Sequence, residues 1–286
     1  MGKVTGLMKG LFYILFIFPL IAMPQANAII FDTPFESSSE MDGTSDAWRD
    51  DVPGNNSSWT LVTGQLEGNT AIRLANDPNL DRNELVKQRI IDWNVEYWLG
   101  FAFKVVEKVN GNEILFQLRS HPDNSQNPVT ITSNTSTSLS VKLSTDETYA
   151  NQTTPATGAE SGTESFAVDY VIGEWQVFVF NFVLSPTSGR ITGWHNGAVF
   201  VDETGTTVYG LDNNGDPKEE EEYLKIGTYA GPNVSPREGE VHYDAFKLWE
   251  GSGGSYEAVS PLGLSPTNNP GTLIKGSNLR LNGGNG

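Results

Sequence analysis

Short runs rich in Val, Ile, Phe, Tyr and Trp follow one another along this chain, each cut off by Gly, Pro, Asn or Ser. Side chains alternate across a strand, so runs of this kind suit strands with one buried face. The pattern predicts strands over 71–74, 96–105, 113–119, 129–132, 138–143, 175–184, 190–195, 198–201, 223–229 and 240–249. Asn196-Gly197 sits between two of these runs, and both residues accept positive φ, so it predicts a two-residue hairpin. Helical periodicity is nearly absent beyond the N-terminal apolar run, although 80–91 is read as holding a helical turn. No internal repeat of fixed length occurs. The expected fold is all-β, a two-sheet antiparallel sandwich or jelly roll.

Residues 1–28 read as an export signal. Lys3 and Lys9 form a positive start, 11–23 is an uncharged apolar run, and Ala26-Asn27-Ala28 has the small-x-small form of a cleavage site. The run is too short to span a bilayer. The expected layout is therefore a signal at 1–28, one domain at 29–250, and a Gly/Ser/Pro/Asn-rich linker or disordered tail at 251–286. The expected location is secreted or periplasmic. There is no cysteine, which excludes thiol catalysis and Cys–zinc sites and leaves the exported domain to stand on its core. The formal net charge is −17, and loss of Lys3 and Lys9 makes it more negative. That argues against nucleic acid or an anionic membrane as a partner, and it requires a local basic patch for any anionic ligand. The run Glu219–Glu222 is most simply a solvated loop.

The segment Tyr223-Leu224-Lys225-Ile226-Gly227-Thr228-Tyr229 predicts a strand with two unlike faces. Leu224, Ile226 and Thr228 suit a core. Tyr223, Lys225, Gly227 and Tyr229 point the other way, a row of roughly 20 Å that matches a few sugar rings. Glycine inside a strand often marks close approach of a ligand to the backbone. A groove floor that binds a polymer and moves protons has this make-up; so does a solvated sheet face.

Other constellations are weaker singly. In Glu113–Arg119, alternation places Gln117 and Arg119 on one face, and both are donors suited to a carboxylate. Arg82 and Glu84 share a face, either steering a guanidinium or forming a surface ion pair. Trp194, before the hairpin, is a candidate for stacking on sugar or for the core. His121 follows Arg119 at the same parity, and the other histidines, His195 and His242, are scattered. No Glu-x-Asp-x-x-Glu strand is present, which weighs against a two-carboxylate hydrolase. A structural calcium ion is an expectation at two places: at Glu36 with Asp244, where first and last strands would pair, and along Asp212–Asp216.

Together these segments resemble the jelly-roll (concanavalin A-like) polysaccharide lyases, the alginate lyases and the heparin- and glucuronan-lyase-like enzymes. Tyr223–Tyr229 is similar to their Tyr-x-Lys-x-Gly-x-Tyr strand, and Arg82-Asn83-Glu84-Leu85 to their Arg-x-Glu-Leu. Gln117-Leu118-Arg119 falls where they carry Gln-x-His. Trp175, the Asn196-Gly197 hairpin and Val241-His242-Tyr243-Asp244 follow in the same order, and the likeness covers most of 30–250. The resemblance implies β-elimination at a uronic acid. The catalytic group would be Tyr229, Lys225, Arg119 and His121: Tyr229 would be the acid, the base would be either Tyr229 itself or His121, and Lys225 would help bind the substrate or lower the phenol's pKa; Arg82 and Gln117 would hold the carboxylate, and Tyr223 and Trp194 would line the substrate. Arg119 stands where the family has histidine, and His121 is the imidazole nearest to it in sequence. A phenol, with a pKa of about 10, needs cationic neighbours to act as a base near neutrality. The implied partner is an acidic polysaccharide such as glucuronan, ulvan or alginate, taken by a monomer without a required cofactor. A lectin-like binding module of the same fold is the alternative, since fold does not settle activity.

Overall fold

The computed structural model describes residues 28–41, 48–50, 59–63, 66–76, 82–108, 111–120, 127–145, 164–210, 221–230, 238–261 and 266. Two antiparallel sheets lie face to face. The larger joins β13 (Ala198–Gly205), β12 (Gly189–His195), β11 (Gln176–Val183), β6 (Glu96–Glu107), β15 (Glu240–Glu250), β4 (Thr70–Ala75) and β3 (Trp59–Thr63) in that order, with β1 (Ala28–Thr33) also paired to β15. The smaller runs β10 (Glu164–Asp169), β9 (Ser138–Leu143), β8 (Val129–Ser133), β7 (Glu113–Ser120), β14 (Glu221–Tyr229), β5 (Arg82–Asp92) and β2 (Arg49–Asp50). This is the expected sandwich. A 3₁₀ turn at Ser38–Met41 and one helical turn, α1 (Tyr256–Val259), are the helical pieces among the described residues. None of them is long and apolar enough to cross a membrane.

Alternation builds the core. In β6, Tyr97, Leu99, Phe101, Phe103 and Val105 face inward, and Phe178, Phe180 and Phe182 do so from β11. Phe101 stacks on Phe116 of the opposite sheet at 4.5 Å between ring centroids, and on Phe246 at 4.7 Å. Offset stacking of this kind adds to the burial of each ring. The Asn196-Gly197 hairpin forms with φ of 50° and 85°, which aligns β12 with β13. His195 packs on Phe178 beside it, and its Nε2 lies 3.0 Å from Gln176 Oε1.

Burial holds the His195 imidazole down at about 4. Its unfolded value is about 6.5, so folding favours the neutral ring. The resulting stability is complete above about pH 6.5 and is lost as pH falls toward 4, at most about 3 kcal/mol. Urea midpoints measured from pH 7 to 4 should fall more steeply for the wild type than for His195→Gln. Equal slopes would contradict this account of His195.

Three expectations change here. The stretch read as a helical turn is β5, a strand hydrogen-bonded on both sides, because β2 and β14 pair with it. Its register slips between Lys87 and Ile91, which breaks the clean alternation a strand would show. Of the acidic run, Glu221 and Glu222 belong to β14, and Glu222 is buried, accepting from Trp93 Nε1 at 3.0 Å. The part of the presumed tail up to residue 261 is folded: α1, capped by Ser255, covers Val179, Trp98, Trp194 and Trp249 on the outside of the larger sheet. The signal segment up to residue 27, Asp212–Asp216, His121 and the rest of the tail except residue 266 lie outside the described residues.

Candidate active site

The site is built on the outward face of the smaller sheet, where β14 runs between β7 and β5. Leu224 and Ile226 face the core, so Tyr223, Lys225, Gly227 and Tyr229 face out. Register places the partners. Tyr229 stands opposite Arg82, Gly227 opposite Glu84, and Lys225 opposite Val86 of β5. On the other side Lys225 stands opposite Gln117, and Tyr223 opposite Arg119 of β7. Directly opposed residues have Cβ atoms about 5 Å apart. Tyr229, Lys225, Arg82, Gln117, Arg119 and Tyr223 therefore share one face.

The face is well shielded for the outside of a sheet. Lys225 is 5% exposed and Gln117 4%. The Arg82 guanidinium lies over the Tyr229 ring, 4.3 Å from its centroid, and its Nη1 is 3.7 Å from Glu84 Oε2. Glu84 thus steers Arg82 over the phenol, the pairing read from sequence. Lys225 Nζ sits 5.8 Å above the Tyr223 ring. The same rows continue outward. Arg49 of β2 lies beyond Val86, and Lys142 of β9 lies beyond Thr130 and Gln117. Five cations, Arg49, Arg82, Arg119, Lys142 and Lys225, thus occupy one face of a chain whose net charge is −17. Arg49 and Lys142 were not singled out from sequence; only the strand order aligns them.

Gly227 has a different role from the one its position suggested. A Cβ there would lie 2.2 Å from Asn83 O and 2.7 Å from Glu84 Cα, and φ is 151°. The neighbouring strand fills the gap, so the glycine is required by β5 and not by a ligand. It also sits in a β-bulge, since β14 slips against β7 between Ile226 and Tyr229.

Trp194 is not part of this face. It points outward from the larger sheet, stacked on Trp98 at 5.9 Å and edge-on to Tyr256 of α1. The sequence leaves Trp194 open between stacking on sugar and the core; it packs instead in the small cluster under α1, outside the larger sheet. Glu36 and Asp244 do converge, on the loop 66–70: Asn69 and Thr70 N–H donate to Glu36 Oε1, and Leu66 and Glu67 N–H to Asp244 Oδ2. Burial pushes the Asp244 carboxyl up to about 6. Among the described residues no three His, Asp or Glu side chains gather as metal ligands, so a calcium shell at this pair would need further oxygens from elsewhere.

A family model described as polysaccharide lyase matches residues 40–247. The chain belongs to the polysaccharide lyase family. This lyase shares its fold with the endo-β-1,4-glucuronan lyase from the fungus Trichoderma reesei, at a TM-score of 0.54 and 15% identity, over 73% of this chain and 91% of that one. Cellulose induced protein Cip1 aligns at 0.48 and 13% identity, over 76% and 96% of the two chains. The alginate lyase AlgAT5 from polysaccharide lyase family 7 aligns at 0.46 and 15%, over 75% and 98%. No curated protein sequence matches the chain.

Proposed function

We infer that this lyase is an exported enzyme that cuts a uronate-containing polysaccharide by β-elimination on the face formed by β5, β7 and β14. The observation that carries the reading is the Tyr229 phenol under the Arg82 guanidinium, on the same face as Lys225 and Gln117. The acidic chain keeps the basic patch that an anionic polymer requires, and that patch would steer the polymer to this face.

The chemistry follows from the groups present. The C5 hydrogen of a uronate is acidic because the adjacent carboxyl takes up the charge as the proton leaves. Arg82 and Gln117 supply donors for that carboxyl, where stabilisation counts most in the transition state. Tyr229, as phenolate, takes the C5 proton; the C5 electron pair forms the C4=C5 double bond; the C4–O bond breaks; and the phenol returns its proton to the leaving glycosidic oxygen. One residue does both transfers, consistent with Arg119 standing where an imidazole would otherwise serve. Lys225 adds positive charge beside the carboxyl. A hydrolase would need two carboxyls set across the scissile bond. The residues opposed around Tyr229 and Lys225 include a single carboxylate, Glu84, and it is engaged with Arg82.

The test is a screen of the purified protein on glucuronan, ulvan, alginate and heparin, read by the ultraviolet absorbance of the unsaturated product. Turnover of one or more is expected, and silence on all of them would overturn the reading. Binding without chain shortening would favour a lectin-like module instead. On the substrate found, Arg82→Ala should lower kcat/KM by about a hundredfold, because a donor aimed at the developing charge is lost. An unchanged kcat/KM would remove Arg82 from the carboxylate site.

A further inference from the structure

A single buried phenol crosses the sandwich to the back of the catalytic strand. Tyr243 belongs to β15 of the larger sheet and is 0% exposed. Its hydroxyl accepts from Gly227 N–H at 3.1 Å, and its proton is shared between Gly227 O at 2.8 Å and Leu115 O at 2.5 Å. These backbone groups lie where the ladder is broken. β14 slips against β7 between Ile226 and Tyr229, and β7 slips against β8 between Ile114 and Phe116. Two bulges on adjacent strands interrupt the ladder at this point, and bulges re-aim the side chains that follow them. Here the slip sets Tyr229 opposite Ile114, one residue from the position an unbroken ladder would give it.

Buried peptide groups are rarely left unpaired. The hydroxyl supplies an acceptor and a donor at the point where both bulges need them. Burial also pushes the Tyr243 hydroxyl well above its usual range, so it stays protonated and can keep donating. From the same core side, Asn76 Nδ2 donates to the Thr228 hydroxyl at 2.5 Å, which holds the next residue of the same strand.

We propose that Tyr243 is a positioning residue: its hydroxyl fixes the paired bulges at Gly227 and Leu115 and thereby aims the Tyr229 phenol toward the uronate. The catalytic part of this inference rests on the β-elimination reading; the bulge lock does not. Tyr243 never touches substrate, because the sheet lies between them. Its effect should therefore fall on the proton transfers and leave polymer binding alone.

The test uses Tyr243→Phe, which removes one oxygen and keeps the ring. In the full-length protein, kcat should fall by about 10- to 100-fold while KM changes little, since a small misplacement of a reacting group carries that cost. A merely structural tyrosine would lower the melting temperature and leave kcat per folded molecule intact. Two readouts need no turnover. The backbone amide of Gly227 should exchange with solvent at least about tenfold faster in Tyr243→Phe than in the wild type. With 13C-labelled tyrosine, the NMR signal that vanishes in Tyr229→Phe should shift in Tyr243→Phe. Unchanged exchange and an unmoved Tyr229 signal would overturn the lock even if the enzyme is an active lyase. A faster Gly227 amide and a moved Tyr229 signal, in a protein inert on every uronate polymer, would uphold the lock and sink the elimination reading. Should Tyr243→Phe not fold, exchange in the wild type decides: a Gly227 amide protected as deeply as the core strands supports the lock, and an unprotected one refutes it.

Discussion

Tyr229→Phe is expected to lower kcat by about 10²- to 10⁴-fold, the range general acid–base catalysis contributes. The substitution removes one oxygen at the edge of the Arg82 stack and leaves the ring in place. The fold, the melting temperature and affinity for the polymer should stay close to wild type. Because the same phenol takes the C5 proton and returns it to the leaving oxygen, the loss should lie toward the upper end of that range. Initial rates of unsaturated-product formation, set against binding measured separately, check this. Full rate in Tyr229→Phe would mean that another group moves the protons, and the roles given to Arg82 and Gln117 would have to be reassigned with it.

Phe101→Ala should destabilise the fold by about 3–5 kcal/mol, the usual cost of emptying a large aromatic site in a close-packed core. Phe101 sits where the two sheets meet. It stacks on Phe103 and Phe246, on Phe178 and Phe180 of β11, and on Phe116 across the interface. Phe116 is on β7, the strand that also carries Gln117 on its outward face. The cavity would therefore lie directly beneath the catalytic sheet, and activity should fall with stability. Urea denaturation at neutral pH measures the difference. A loss below about 1 kcal/mol would show that the rings can collapse into the space and that the core is less closely packed than described.

Much of this was legible in the chain because alternation is a local signal. Tyr223–Tyr229 declares its two faces within seven residues, and Asn196-Gly197 declares its hairpin within two. The same rule failed where neighbours decided the outcome. β5 is bonded on both sides and bulged, so its apolar residues do not alternate cleanly, and the stretch reads as a helical turn in the sequence. Glu222 looked like part of a solvated acidic loop because nothing local reveals that Trp93, far earlier in the chain, donates to it in the interior. In the sequence Gly227 reads as room for a ligand, and only the strand pairing shows that the backbone of β5 occupies the gap. Trp194 reads equally as a sugar platform or as core, because nothing local tells which sheet carries it or that α1 covers it. Arg49 and Lys142 carry no local signal for the matching reason: they join the cationic face only through strand order. The hydroxyl of Tyr243 is the furthest from sequence, because it bridges residues more than a hundred positions apart at Leu115 and only the stacking of the sheets brings them together.

Ends of the cut chains report most directly on the central claim. Digest the uronate polymer that is turned over fastest, and count unsaturated non-reducing ends against new reducing ends in the same sample. Elimination on this face predicts one unsaturated end for every new reducing end throughout the digest. Reducing ends that accumulate without unsaturation would mean that water, and not a lost C5 proton, breaks the bond, and the account given for Tyr229 and Arg82 would be wrong.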